Sequence, residues 1–156
     1  MGICVNVKSK FIGATLAELK AVGLRRSECV VLWLGRRNMD AIDIVEVLKP
    51  EQIADLDYFV IPESSMDALM KHLRTERLMI AAQVHTHPKK AFHSIADDKW
   101  AIVRHAGALS LVLPFFAQNT EMKSFLDRAA IFSLSPENEW VEVLHSGVAR
   151  VLRILP

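Results

Sequence analysis

Two histidines in the middle of the chain have the spacing of metal ligands. His85 and His87 follow the apolar segment 78–83, which predicts a buried strand. Because side chains alternate between the faces of a strand, both imidazoles are expected to point the same way. Pro88 cannot donate to a strand ladder, so the strand should end there and a loop should begin. The two imidazoles therefore meet on one face, at the end of a strand.

A carboxylate is expected to face these imidazoles from the start of a helix. Ser94 has the character of an N-cap, and Asp97 lies in the first turn of a helix predicted to run to about His105. Two imidazole nitrogens and one carboxylate oxygen suit zinc, and they leave the open fourth position that a catalytic zinc needs for water. We predict one zinc ion per chain, bound by His85, His87 and Asp97.

The spacing of these residues resembles the motif of the JAB/MPN (JAMM) family of zinc metalloproteases, many of which remove ubiquitin-like proteins. That motif is a distant Glu, then His-(Ser/Thr)-His-Pro, a short loop, and Ser-x-x-Asp. Residues 85–88 and 94–97 match its second and last parts. The family's Glu opens an apolar strand that ends in Leu-x-Leu-Gly, and Glu28 to Gly35 has that arrangement. The resemblance covers residues 28–98 at least.

One spacing departs from the family pattern. The loop between Pro88 and Ser94 is one residue shorter than usual, so the Ser-to-Asp spacing selects Asp97, whereas the His-to-Asp spacing selects Asp98. The two carboxylates are rotated by roughly 100° about a helix axis and cannot face one metal equally well. We predict Asp97, because Ser-x-x-Asp ties ligand and hydroxyl to one rigid turn; Asp98 stays the alternative.

The resemblance also implies roles for two residues that do not bind the metal. Glu28, on a neighbouring strand, is expected to take a proton from the attacking water and pass it to the leaving amine. Ser94 is expected to donate a hydrogen bond to the oxyanion of the tetrahedral intermediate. The chain contains no HExxH helix, which excludes the zincin arrangement.

Other residues near the motif have simpler interpretations. His93 is expected to be a loop residue that supports the site and not a ligand. Cys29, within an apolar strand, is expected to be a packing residue. Lys89 and Lys90 are typical of a solvated turn, although beside the metal they can also meet a substrate carboxylate or an acidic surface.

Composition narrows the class of protein. The 156 residues fit one domain, 1–156, with 51% hydrophobic and 24% charged residues. A net charge of +1 gives no reason to expect nucleic acid or a membrane as partner. Two cysteines are too few for a disulfide framework, and neither a signal peptide nor a membrane-spanning run is evident. We predict a cytoplasmic protein.

The pattern of apolar residues predicts interleaved strands and helices, and hence an α/β or α+β fold with helices on a mixed sheet. The JAB/MPN resemblance implies a three-layer α-β-α sandwich, of the cytidine-deaminase-like kind. The segments are strands at 3–7, 28–34, 42–48, 57–61, 108–113, 131–134 and 140–144, helices at 9–22 and 62–75, a polar turn at 36–40, a loop at 115–125, and a strand or helix at 148–155.

The resemblance implies an activity. We predict a zinc-dependent peptidase or isopeptidase that cleaves after the C-terminal Gly of a ubiquitin-like protein, from a precursor or a conjugated target. Its expected partners are E1-like and E2-like proteins of a bacterial, antiphage-type conjugation system. Two alternatives stay open. One is a protease that removes an extension from a sulfur-carrier protein, and the other is a non-catalytic MPN scaffold, whose members usually lack part of the metal set.

Overall fold

The fold is built on one large mixed sheet. The computed structural model describes residues 2–94, 97 and 101–156. In these residues the strands are β1 Cys4–Lys8, β2 Val30–Asn38, β3 Ala41–Leu48, β4 Ile53–Ala54, β5 Phe59–Val60, β6 Met79–Thr86, β7 Leu109–Leu113, β8 Ala130–Leu134, β9 Trp140–Glu142 and β10 Leu152–Leu155. Four α-helices lie wholly within these residues: α1 Ser9–Gly23, α2 Glu63–Glu76, α3 Phe125–Arg128 and α4 Val148–Val151.

The strand order puts β2 and β6 at the centre of the sheet. The eight strands run β10-β1-β3-β2-β6-β7-β8-β9, and β4 pairs only with β5 in a separate hairpin. β6 is antiparallel to β2 and parallel to β7, while β1 is parallel to both β3 and β10. β6, which carries His85, and β2, which Glu28 precedes by two residues, are therefore neighbours at the centre of the sheet.

Helices cover both faces of the sheet. On one face, Val31 and Trp33 of β2 join the apolar side of α1 in the larger core cluster. Trp33 stacks on Phe125 of α3, with ring centroids 6.1 Å apart, and its Nε1 donates to Thr15 Oγ1 at 2.8 Å. On the other face, Leu32 packs in a second cluster with the apolar residues of α2. Because residues 30–34 of β2 alternate between two cores, this part of the strand is an unbroken apolar run, whereas its last three residues, 36–38, are polar and exposed.

Most of the predicted elements are confirmed, with shifts of a residue or two at their ends. The segment predicted as a strand or a helix contains both, because α4 is followed directly by β10. The loop predicted at 115–125 consists mainly of short 3-10 turns.

Two predictions about ends of elements are wrong. The polar turn predicted at 36–40 is mostly strand, because β2 continues to Asn38 and only Met39 and Asp40 form the hairpin turn. The helix predicted to reach His105 has ended by residue 101. There the backbone N–H of Ile102 donates to Gln83 Oε1 at 2.9 Å and Val103 is buried in the core, so contacts with the sheet prevail over helix propensity.

Among the residues that the structure describes, no helix has the length and apolarity to cross a bilayer.

Candidate metal centre

The end of β6 presents two buried imidazoles. His85 is 1% exposed and His87 is 5% exposed. The antiparallel register pairs His85 with Val30 of β2, and the pairing continues beyond the strand because the Thr86 N–H donates to the Cys29 carbonyl at 3.1 Å. The predicted strand and its abrupt end at Pro88 are confirmed. As expected from the alternation of a strand, the two imidazoles share a face.

Continuing the same register places Glu28 opposite His87. Glu28 is 6% exposed, and its backbone N–H donates to the Asp55 carbonyl at 2.6 Å, next to the β4–β5 hairpin. Burial raises the pKa of Glu28 from 4.5 to about 7; the nearby His87 lowers it, and the negative charges of Asp97 and Asp57 raise it. A carboxyl group with this pKa can both accept and release a proton near neutral pH.

A tight turn brings the carboxylate to the imidazoles. The Ser94 N–H donates to Asp97 Oδ2 at 2.7 Å, and the Asp97 N–H donates to Ser94 Oγ at 3.0 Å. This reciprocal pair is a capping box, the arrangement expected from the Ser-x-x-Asp spacing. Asp97 Oδ1 then lies 3.2 Å from His85 Nε2, and Asp97 Oδ2 lies 3.2 Å from His87 Nε2.

The distances within this cluster fit a small metal ion. The three ligand atoms all lie within 4.8 Å of one another. Ligands about 2.1 Å from a tetrahedral zinc are separated by about 3.4 Å, close to the 3.2 Å seen between each imidazole and the carboxylate. His85 Nε2 is buried and accepts or donates no well-directed hydrogen bond among the described residues. A cluster of His85, His87 and Asp97 can therefore hold a metal ion.

The surroundings of Asp97 strongly favour its ionised form over its protonated form. Burial raises the pKa of its carboxyl group, but the His85 and His87 ring nitrogens 3.2 Å away, the charge of His85 and the hydrogen bond from the Ser94 N–H lower it more. The net result is a pKa well below the usual range of Asp. A ligand carboxylate must be ionised, so the surroundings of Asp97 suit that role.

Glu28, His87, Ser94 and Asp97 all line one cavity of about 940 Å³. The rest of its wall is mainly apolar and comes from β5, α2 and the two segments that flank Asp97. These residues include Tyr58, Phe59, Val60, Ile61, Met66, Phe92, Ala101 and Ile102, with Asp57 and Lys89 as charged members. Phe92 also packs edge-on against His87, with ring centroids 4.5 Å apart. The polar groups thus converge in an otherwise apolar pocket, as is typical of ligand sites.

An unusual turn holds the backbone just after His87. Phe115, Phe116 and Ala117 all have positive φ, between 52° and 60°. The Phe116 N–H donates to the His87 carbonyl at 2.9 Å, and the Phe115 N–H donates to the Lys89 carbonyl at 3.0 Å. Gly23, at the end of α1, packs so closely here that a Cβ would lie 2.5 Å from the Phe116 carbonyl oxygen. Left-handed residues other than Gly cost about 1–2 kcal/mol each, so this turn is strained.

All five predicted site residues are brought together, and two further residues were missed. Gln83 and Ser110 are buried polar residues on the same side of the sheet as His85. The sequence carried a signal for Gln83, since an amide two residues before His85 in an apolar strand shares its face. Ser110 lies within an apolar strand and gave no comparable signal. Asp98, the alternative ligand, lies outside the described residues.

Comparisons with known proteins agree with this site. No family model matches the chain. The probable metalloprotease y4jG of Sinorhizobium fredii is 31% identical over 147 residues, which cover 92% of this chain and 89% of that protein. The solution structure of protein DSY2949 from Desulfitobacterium hafniense matches with a TM-score of 0.67 at 16% identity, covering 97% of this chain and 92% of that chain. At that identity the likeness shows a shared fold only.

Proposed function

The chain belongs to the same metalloprotease family as y4jG of Sinorhizobium fredii, and from this premise we propose that it is a zinc-dependent peptidase or isopeptidase of the JAB/MPN type. The observation that carries the proposal is the cluster of His85, His87 and Asp97, together with the buried Glu28, which lines the same cavity as His87 and Asp97. The three-layer α-β-α arrangement is part of the same proposal. It is supported by α1 and α2, which pack on opposite faces of the sheet.

Zinc is the metal that best fits the donor set. Two imidazole nitrogens and one carboxylate oxygen match the ligands of catalytic zinc sites, whereas magnesium and calcium prefer oxygen alone. When bound, zinc would supply a Lewis acid and lower the pKa of a bound water to about 7. We assign His85, His87 and Asp97 as its ligands.

Glu28 and Ser94 would carry out the proton transfer and the charge stabilisation. Glu28, a buried carboxyl group that lines the same cavity as His87 and Asp97, can remove a proton from the attacking water and deliver it to the amine that leaves. Ser94 Oγ accepts the Asp97 N–H, which leaves its hydroxyl proton available for the oxyanion of the tetrahedral intermediate. The capping box holds this hydroxyl beside the ligand carboxylate, so both groups move as one unit.

The proposed substrate is the C-terminal tail of a ubiquitin-like protein, cleaved after its last Gly. The cavity of about 940 Å³ with mainly apolar walls would take the tail, and Lys89, which also lines it, can pair with a carboxylate of the substrate. E1-like and E2-like proteins of a bacterial conjugation system are the proposed partners. The substrate and the partners rest on the motif resemblance.

A protease for an extended sulfur-carrier protein would use the same chemistry, and we keep it as the alternative substrate. A non-catalytic MPN scaffold is disfavoured, because this chain keeps Glu28 and Ser94 as well as the three candidate ligands. A pure interaction module has no use for a buried carboxyl group with a raised pKa beside those ligands.

Purified protein, metal analysis and two fusion substrates test the proposal. We expect about one zinc per chain, lost in the double variant His85→Ala and His87→Ala. One substrate joins a ubiquitin-like protein to a reporter after its terminal Gly, and the other joins a sulfur-carrier protein to the same reporter. Cleavage of the first supports the proposal and cleavage of the second alone supports the alternative. Full zinc content without cleavage of either fusion would contradict the proposed substrate class. Full zinc content in the double variant would show that the metal is bound at another site.

A further inference from the structure

A buried polar cluster lies beside the metal centre, on the neighbouring strands β6 and β7. Gln83 is 3% exposed and Ser110 is fully buried, and the parallel register pairs them directly. Gln83 Nε2 donates to Ser110 Oγ at 3.2 Å. Gln83 Oε1 accepts the backbone N–H of Ile102 at 2.9 Å, which fixes the orientation of the amide because only its oxygen can accept.

The same cluster reaches the residue before Ser94. His93 Nε2 lies 3.2 Å from Ser110 Oγ. A hydroxyl has one proton and two lone pairs, so Ser110 can accept from Gln83 and donate to His93. The His93 ring also packs between Phe132 of β8 and Trp140 of β9, with centroids 4.9 Å and 5.3 Å away. His93 is therefore attached to the sheet by a hydrogen bond and by two aromatic contacts.

These contacts fix both sides of the turn that carries the third ligand. His93 immediately precedes Ser94, and Ile102 follows Asp97 after a short segment. Through Ser110 and Gln83 both flanks are bonded to strands β6 and β7, and β6 itself carries His85. Besides the contacts of Asp97 with His85 and His87, the turn is thus attached to the sheet by Gln83, Ser110 and His93, none of which is a candidate ligand.

We propose that Gln83, Ser110 and His93 form a polar clamp that positions Ser94 and Asp97 before any metal binds. The inference deepens the proposed function, since it takes Asp97 as a ligand and Ser94 as the oxyanion donor. The three clamp residues are positioning residues, because they act on the site through the backbone of the turn. Such a preformed turn lowers the entropy cost of binding the metal.

Three variants remove the clamp in different ways. Gln83→Met keeps the shape and removes the amide, Ser110→Ala removes the hydroxyl, and His93→Phe keeps the aromatic packing and removes the ring nitrogens. The matched control is Thr15→Val, which also deletes a buried hydroxyl that accepts a hydrogen bond, but on the opposite face of the sheet. Its cost in stability should resemble that of Ser110→Ala, while its effect on the site should be nil.

The first measurement uses metal-free protein. The Ser94 and Asp97 amides are protected by their reciprocal hydrogen bonds, and we expect their hydrogen exchange to become about 5–10-fold faster in the clamp variants and not in Thr15→Val. The second measurement is zinc affinity by competition with a chelator, which should fall about 10–100-fold, as is typical when support for a ligand is lost.

The two measurements separate the inference from the proposed function. Exchange at Ser94 and Asp97 that stays within twofold of wild type in Ser110→Ala and His93→Phe would overturn the clamp, whether or not Gln83→Met folds. If hydrogen exchange becomes faster in the clamp variants but their zinc affinity is unchanged, the claim that the clamp supports metal binding would be wrong. A wild-type protein that binds no zinc would defeat the proposed function, and the exchange data would still decide whether the clamp positions the turn.

Discussion

Replacing Glu28 by Gln should abolish activity and, at alkaline pH, stabilise the metal-free protein. Burial raises the pKa of Glu28 from 4.5 to about 7. A folded-state pKa above the unfolded value means that the folded protein holds this proton more tightly. The associated stability is therefore fully present below about pH 4.5 and is lost as the pH rises through about 7.

The size of this loss follows from the pKa values. One pKa unit corresponds to about 1.4 kcal/mol, so the rise from 4.5 to about 7 corresponds to roughly 3 kcal/mol of unfolding free energy. Gln carries no proton to lose and should escape the effect. We expect the stability of Glu28→Gln relative to wild type to increase by about 2–3 kcal/mol between pH 5 and pH 8, while its turnover falls ~10²–10⁴-fold.

Urea unfolding in the presence of a chelator, followed by tryptophan fluorescence at pH 5 and pH 8, measures the difference. Glu137→Gln, on the exposed turn between β8 and β9, controls for the change of a carboxylate to an amide. A difference between Glu28→Gln and wild type that is the same at both pH values would refute the argument that burial holds Glu28 protonated. Cleavage by Glu28→Gln at a near wild-type rate would show that Glu28 does not transfer the proton.

Two other comparisons probe the site and its support. Asp97→Asn should weaken zinc binding by at least ~10–100-fold, the loss that is typical when a group supporting a ligand is removed. Asp98→Asn should change zinc affinity and cleavage little. The opposite result would show that the His-to-Asp spacing governs the site. Gly23→Ala should destabilise the protein by about 1–3 kcal/mol in thermal unfolding and lower turnover, because its Cβ would lie 2.5 Å from the Phe116 carbonyl oxygen beside His87. Gly13→Ala is the control within α1, since its Cβ would meet only Met122 Cε at 3.5 Å. This variant should raise the stability of the protein by up to ~1 kcal/mol. Equal losses of stability in both variants would refute the steric argument.

The parts of the fold with strong local patterns could be predicted from the sequence. α1 repeats apolar residues at helical spacing and ends at Gly23, and β2 begins with an apolar run, residues 30–34. The candidate site was predictable for the same reason, because its members form short, ordered motifs. A strand end places His85 and His87 on one face, and the Ser94 capping box places Asp97.

What could not be predicted depends on contacts between distant segments. The non-helical backbone from residue 101 onward goes with a hydrogen bond from the Ile102 N–H to Gln83, which lies on another strand. The left-handed turn at Phe115 to Ala117 is sustained by hydrogen bonds to the backbone after His87, and no residue type in that segment signals positive φ. Such features can be seen only in the folded structure, because contacts with residues distant in sequence override the local conformational preference of the segment.

The three candidate ligands lie close together in sequence, within residues 85–97, whereas Glu28 joins them only when β2 pairs with β6. Contacts between near neighbours cost little loop-closure entropy and form early, while pairing of distant segments forms late. We therefore expect a refolding chain to take up metal before it gains activity. If Glu28 is the base, a metal-loaded chain in which β2 and β6 are not yet paired should be unable to cleave its substrate. Metal content measured during refolding should accordingly rise ahead of cleavage.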